Sequence, residues 1–204
     1  MLRRLAQLYI GLVLYGVSTA LFVHANLGAD PWDVFHLGVG KQLGLDFGTV
    51  MILTGAAVLL LWIPLRQMPG LGTVSNVVVL GLAANATLAV LPPLESLAVR
   101  SLMLVGAIVL NALATGMYIG AGFGPGPRDG LMTGLHARTG WSLRGIRTAI
   151  EVSVLVIGWL MGGTFGVGTV LYALTIGPLI QLCLPWFRQP ATGKARARPG
   201  EVVS

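Results

Sequence analysis

Asp30 and Asp33 stand three residues apart around Pro31, and Asp129 follows Pro127-Arg128 in a second, similar string. This spacing describes a helix start. Asp30 takes the N-cap, Pro31 the first helical position, where its missing N–H costs nothing, and Asp33 the third, where a carboxylate accepts orphan N–H bonds and complements the macrodipole. Asp129 holds the same third position after Pro127. The same residues admit a second chemistry. A helix that begins inside a membrane after an unwound Gly/Pro stretch presents backbone groups and carboxylates to an ion or solute. Capping device and binding site both remain open readings at this point.

The string Gly122-Phe123-Gly124-Pro125-Gly126-Pro127-Arg128-Asp129-Gly130 is the most specific in the chain. Its glycines and prolines cannot run as a helix, and irregular backbone at membrane depth is tolerated only where it packs in protein or lines a wet cavity. Gly124, Gly126, Arg128 and Asp129 therefore join Asp30 and Asp33 as candidate contacts for a solute or ion. A zwitterion or an anion would suit Arg128 beside Asp129. The competing reading is a loop tip at the headgroups with Arg128 on phosphate. A second constellation is Arg144, Arg147 and Glu151, spaced along one face of an apolar helix, with Arg147 and Glu151 able to pair at i, i+4. Ionisable groups inside a spanning segment are costly enough to mark functional candidates, here a gate or proton relay, against the alternative of a structural salt bridge.

Other chemistries are poorly represented. His24, His36 and His136 lack metal-site spacing, and Cys183 is the single cysteine, so no metal site is expected and the histidines read as interfacial or packing residues. Gly38-x-Gly40-Lys41-Gln42 lacks the earlier glycine and the Ser/Thr of a phosphate loop. Neither a nucleophile elbow nor a paired-histidine zinc motif is present. We expect no catalytic residues, no enzyme activity and no cofactor.

The elements that position these residues are helices. A helix needs about 20 apolar residues to cross a hydrocarbon core about 30 Å thick, and six stretches qualify: 5–25, 47–65, 71–91, 98–120, 143–163 and 166–186. Two shorter ones, 31–44 and 127–140, each follow a Gly/Pro cluster and end on Gly44 or Gly140. Leu2-Arg3-Arg4 before the first run resembles a secretory signal, but the run is long enough to span and the repeat requires it.

That repeat lies at an offset of 96 residues. Leu27 to Asp33 aligns with Phe123 to Asp129, Gly38 with Gly134, Gly44 with Gly140, Gly72-Thr73-Val74 with Gly168-Thr169-Val170, and Gly81 with Gly177. The expected architecture is an all-α polytopic membrane protein with two membrane repeats, 1–96 and 97–187, and a disordered basic cytoplasmic tail, 188–204. Each half has three long helices and one short Gly/Pro-initiated helix. If the short helices cross, the repeat is parallel; if they are re-entrant, it is inverted with six crossings. The parallel form is favoured, because Arg4 aligns with Arg100 and Lys41 nearly with Arg138, whereas an inverted repeat should place its charges oppositely.

Composition supports a membrane setting. The 204 residues are 55% hydrophobic and 10% charged, with a mean hydropathy of +0.82, against about 25% charged residues in soluble domains. The net charge of +6 comes from basic residues between apolar runs and in the tail, where they act as topology signals and not as a nucleic-acid surface. The expected partners are the lipid bilayer and a small-molecule or ion substrate, with no nucleic acid. A chain this short for a complete transport path also admits a homodimer.

Gly124-Pro-Gly-Pro-Arg-Asp-Gly130, Arg147-Thr-Ala-Ile-Glu151 and Gly163-Thr-Phe-Gly-Val-Gly168-Thr169 together resemble the bacterial YczE/YyaS/YitT group of membrane proteins, especially its YczE-like branch. The resemblance covers residues 1–187, and the soluble C-terminal domain of YitT-like members is replaced by the basic tail. It implies a multi-pass protein of the bacterial inner membrane, in a group described as permease-like or linked to control of secondary metabolism. Both termini are expected in the cytoplasm. The functional expectation is a small permease or secondary transporter. The alternative is a non-transporting scaffold or regulator, for example of secondary-metabolite production.

Overall fold

A computed structural model describes residues 1–188 and contains eight helices and no strand among them. They are α1 (Leu2–Ala25), α2 (Pro31–Leu43), α3 (Phe47–Leu65), α4 (Leu71–Val90), α5 (Leu97–Gly120), α6 (Pro127–Thr139), α7 (Leu143–Leu160) and α8 (Val167–Phe187). The expectation of a disordered tail falls almost wholly outside the described residues. Five helices, α1, α3, α4, α5 and α8, are long and apolar enough to cross a membrane. The stretch 143–163 was expected to be a sixth. Its helix closes after 18 residues and carries Arg144, Arg147 and Glu151, so it does not join the five. Bare leucine, isoleucine and valine side chains such as Leu60, Leu61, Ile63, Leu102, Leu174 and Leu182 cover the outside, as a lipid-facing surface requires.

The short helices start and stop as their residues dictate. The Asp30 side chain accepts the Asp33 N–H at 2.8 Å, with Pro31 in the first turn. Helix α6 also opens on a proline, after Gly126. Each runs 13 residues, about 20 Å, and each ends on a left-handed glycine, Gly44 or Gly140. The turns that lead into them need glycine as well. Gly28 and Gly124 have φ of 109° and 115°, which side chains rarely adopt. A Cβ on Gly28 would lie 2.7 Å from the Gly166 nitrogen, and one on Gly124 would lie 2.9 Å from Thr73 Oγ1.

The direction of the helices overturns the parallel arrangement. Arg4, at the start of α1, donates to the Ala121 carbonyl at the end of α5, 2.9 Å away. Arg100, at the start of α5, donates to the Ala25 carbonyl at the end of α1, 2.7 Å away. Helices α1 and α5 therefore run antiparallel, and the corresponding contacts cross over. The Gly72 N–H at the start of α4 bonds to Phe123, while the Gly168 N–H at the start of α8 bonds to Leu27. Helix α2 packs on α7 and α3 on α6, and α1 pairs with α4 as α5 does with α8. Charge alignment suggested the parallel form because Arg4 and Arg100 share a repeat position. In the fold both arginines bind the carbonyls at the far end of the opposite helix, a local role that the positive-inside tendency does not describe.

One pair breaks this correspondence. Helices α3 and α4 are closely packed: the Gly48 N–H donates to Asn85 Oδ1 at 2.7 Å, and Asn85 in turn donates to Asp46, the N-cap of α3. Thr49 holds the Asp46 carboxylate from its N–H at 2.9 Å and its hydroxyl at 2.8 Å. Together these bonds keep the Asp46 carboxyl below its usual range. Helices α7 and α8 share no comparable interface. The antiparallel arrangement makes a direct forecast for cross-linking. In a Cys183→Ser background, Arg4→Cys combined with Gly122→Cys should form an oxidant-induced bridge, detected as a mobility shift after protease nicking, and Arg4→Cys with Arg100→Cys should not. The reverse pattern would restore the parallel arrangement.

Candidate functional site

The starts of α2 and α6 meet. Arg128 Nη1 lies 3.2 Å from Asp30 Oδ2, and Arg128 Nη2 lies 4.0 Å from Asp33 Oδ1. The guanidinium sits over the Trp32 ring, 4.9 Å from its centroid. One cation thus bridges two carboxylates of the opposite half and stacks on the indole between them. The α6 start is also anchored to α3, because Trp62 Nε1 donates to the Pro127 carbonyl at 3.0 Å. The preceding loop is held to α4 by Thr73, whose hydroxyl donates to the Pro125 carbonyl at 2.7 Å. Gly130 is the residue that lets α6 lie against the Trp62 ring.

Around this junction is a cavity of about 270 Å³. Its charged lining is Asp30, Arg128, Asp129, Arg147 and Glu151, with His36 and three tyrosines, Tyr15, Tyr118 and Tyr172. Asp129 accepts a hydrogen bond from the Tyr118 hydroxyl at 3.3 Å. Arg147 and Glu151 pair with each other at 2.9 Å, and Arg147 is 59% exposed against 26% for Arg128. The first pair stands at the mouth of the cavity and the Arg128 cluster at its floor. Ile176 and Ile180 of α8 line the cavity together with Arg147 and Glu151 of α7, two helices that do not pack closely on each other. Thr54 and Val58 of α3 and Asn76 and Val77 of α4, a closely packed pair, line it as well.

Among the residues singled out in the sequence, Asp30, Asp33, Gly126, Arg128, Asp129, Arg147 and Glu151 come together. Gly124 lies outside the cavity wall and serves the turn packed on Gly70 and Thr73. Arg144 is exposed and does not line the cavity. His36, read from sequence as a packing or interfacial histidine, is buried one helical turn from Asp33, with their Nδ1 and Oδ1 atoms 3.4 Å apart. Its i+3 spacing from Asp33 on the short helix was the available signal. Trp32 carries no motif in the sequence and lies under the Arg128 guanidinium. The tyrosines carried no motif, because three separate long helices deliver them.

The residues 2–185 match a family of unknown function, DUF6198. The chain belongs to the DUF6198 family. It is 36% identical over 182 residues to an uncharacterized protein of Haemophilus influenzae, covering 89% of this chain and 84% of that one. It is 31% identical over 179 residues to the uncharacterized membrane protein YczE of Bacillus subtilis, covering 87% and 83%. A third relative, the uncharacterized protein YyaS of the same bacterium, is 25% identical over 180 residues. No solved structure matches the chain. The YczE-like resemblance read from the Gly/Pro and Arg/Glu strings therefore holds, and this DUF6198 member is a membrane protein like its YczE relative.

The cluster predicts a stability test with a built-in rescue. Removing one partner of a buried ion group leaves uncompensated charge and costs about 3–5 kcal/mol. Arg128→Ala should therefore lower the apparent melting temperature in detergent by several degrees, and adding Asp30→Asn should recover part of the loss. An Arg128→Ala protein that melts like the native one would show that the junction carries no such load.

Proposed function

We propose that this protein is a small permease of the bacterial cytoplasmic membrane, moving a small solute or ion between two inverted halves. The observation that carries the reading is the cavity between the two short-helix starts, lined by α3 and α4, which pack closely, and by α7 and α8, which do not. Discontinuous helices with their starts facing a central site, in halves of opposite direction, are the construction by which secondary transporters hold substrate near the bilayer midplane. A closed pair on one side and a parted pair on the other is what one end state of alternating access requires. The other end state follows by exchange: α7 closes on α8 while α3 leaves α4.

In this reading the five long apolar helices cross and α7 crosses with them, its Arg147 and Glu151 lining the cavity, while α2 and α6 are re-entrant. Lys41 and Arg100 then fall outside, while the starts of α1 and α7 and the ends of α3 and α6, with Arg3, Arg4, Arg66, Arg138 and Arg144, fall in the cytoplasm. That distribution agrees with the positive-inside tendency. The cavity opens to the cytoplasmic side. Asp30, Arg128 and Asp129 contact the substrate or ion, Asp33 acts from behind Arg128, and the Arg147–Glu151 pair serves as the gate.

Accessibility tests the exchange without knowledge of the substrate. Thr54→Cys, on the cavity wall, in a Cys183→Ser background should react with an impermeant thiol reagent from both membrane faces, more readily from the cytoplasmic one. Asn85→Ala, which removes the side chain joining α3 to α4, should raise reactivity from the outer face. Reaction from one face alone, unchanged by Asn85→Ala, would exclude alternation and favour a static role.

A further inference from the structure

At the floor of the cavity four ionisable side chains from the two short-helix starts are packed together. Asp33 and His36 are 1% and 2% exposed. Asp30 and Asp33 share one cation, Arg128. With both carboxylates ionised the group carries one uncompensated negative charge, which is expensive to enclose at membrane depth. Two of its atoms, Asp33 Oδ1 and His36 Nδ1, lie 3.4 Å apart and have no hydrogen-bond partner. With the neutral imidazole carrying its hydrogen on Nε2 both atoms are acceptors, and one added proton then joins them. The charge deficit is also one.

The position of His36 adds a second observation. His36 is among the residues lining the central cavity and also those lining a separate cleft with Leu37, Gly40, Lys41, Gly44, Leu45 and Phe47, at the end of α2 and the start of α3. That cleft lies beside the start of α3, the end of the helix that Asn85 of α4 holds through Gly48. His36 therefore borders two separate spaces. A histidine can accept on one nitrogen and donate from the other, which suits it to pass a proton between two spaces.

We infer that Asp33 and His36 form a proton-binding pair that couples the permease to the proton gradient. The inference rests on the permease reading above. One proton enters from water in either space and forms an O–H bond on Asp33 or an N–H bond on His36, bridging the two atoms. On release that bond breaks, the proton returns to water, and the cluster regains its single negative charge. The protonated cluster is neutral with Arg128 and can be enclosed while the helix pairs exchange; the deprotonated one must keep contact with water. The other groups around it are Tyr15 on α1, Tyr118 on α5, Arg128 and Asp129 on α6, Arg147 and Glu151 on α7, and Tyr172 on α8. Helices α3 and α4 present only Thr54 and Asn76 among polar side chains lining the cavity.

The test uses the full chain in lipid nanodiscs and liposomes, with protons as the only ligand. Infrared difference spectra between acid and alkaline buffer should show the carbonyl band of a protonated carboxylic acid, and Asp33→Asn should lose it. His36→Gln, which keeps a polar side chain, should shift the band and provides the reading if Asp33→Asn does not remain monodisperse. Acidification should also speed the labelling of Thr54→Cys from the outer face, and Asp33→Asn should abolish that dependence on pH. A native band that persists unchanged in both variants would overturn the proton site. A band lost in Asp33→Asn with labelling indifferent to pH would overturn the coupling. Two-sided labelling at a single fixed pH is a separate result and decides the permease reading alone.

Discussion

The Arg128 guanidinium between Asp30 and Asp33 is the contact on which the arrangement of the short helices depends. Each of these helices begins in the protein interior, where unpaired backbone groups and single charges are costly. The two starts share that cost by meeting. Asp30 caps α2 with one carboxylate oxygen and takes Arg128 with the other. The ion group is thus also a cap, and the acid that caps α2 also satisfies the Arg128 guanidinium carried by the start of α6.

Around that junction the long helices supply a frame made close by small residues. Gly48 lies against the Gly81 backbone, Gly11 against α5, and Gly158 against the backbone of Val34 and Phe35. Membrane helices gain little from burying apolar surface against lipid, so contact area and backbone approach do more of the holding. Such contacts are numerous between α1, α4 and α5. They are largely missing between α7 and α8, and the charged pair Arg147–Glu151 occupies the gap. The α3–α4 and α7–α8 pairs thus differ in packing within one molecule. Met51 and Gly55 occupy the positions corresponding to Arg147 and Glu151, so the half that is closed is also the half without charges at that place.

The cavity's chemistry follows from this difference. Its floor is ionic, paired and buried, its walls are tyrosine and aliphatic, and its mouth carries an exposed ion pair. The floor is shared by both halves, whereas the mouth belongs to the second half alone. The DUF6198 match spans nearly all the described residues, so this arrangement of floor and mouth concerns the whole membrane unit and not an appended part.

The element boundaries were legible in the residues themselves. Asp30-Pro31 and Gly126-Pro127 start the short helices, Gly44 and Gly140 end them, and apolar runs set the long ones to within a few residues, because caps and hydrocarbon thickness are local constraints. The pairing of Arg147 with Glu151 was legible for the same reason, being one turn of a single helix. Helix direction was not. Arg4 and Arg100 align in sequence, and only their bonds to carbonyls more than 70 residues away set α1 against α5. His36, Trp32 and the three tyrosines entered the site only through tertiary packing. Local spacing determines where a helix begins and which of its residues share a face. Which side chains from five different helices meet around one guanidinium is decided by how the helices cross, and no periodicity within a single segment records that.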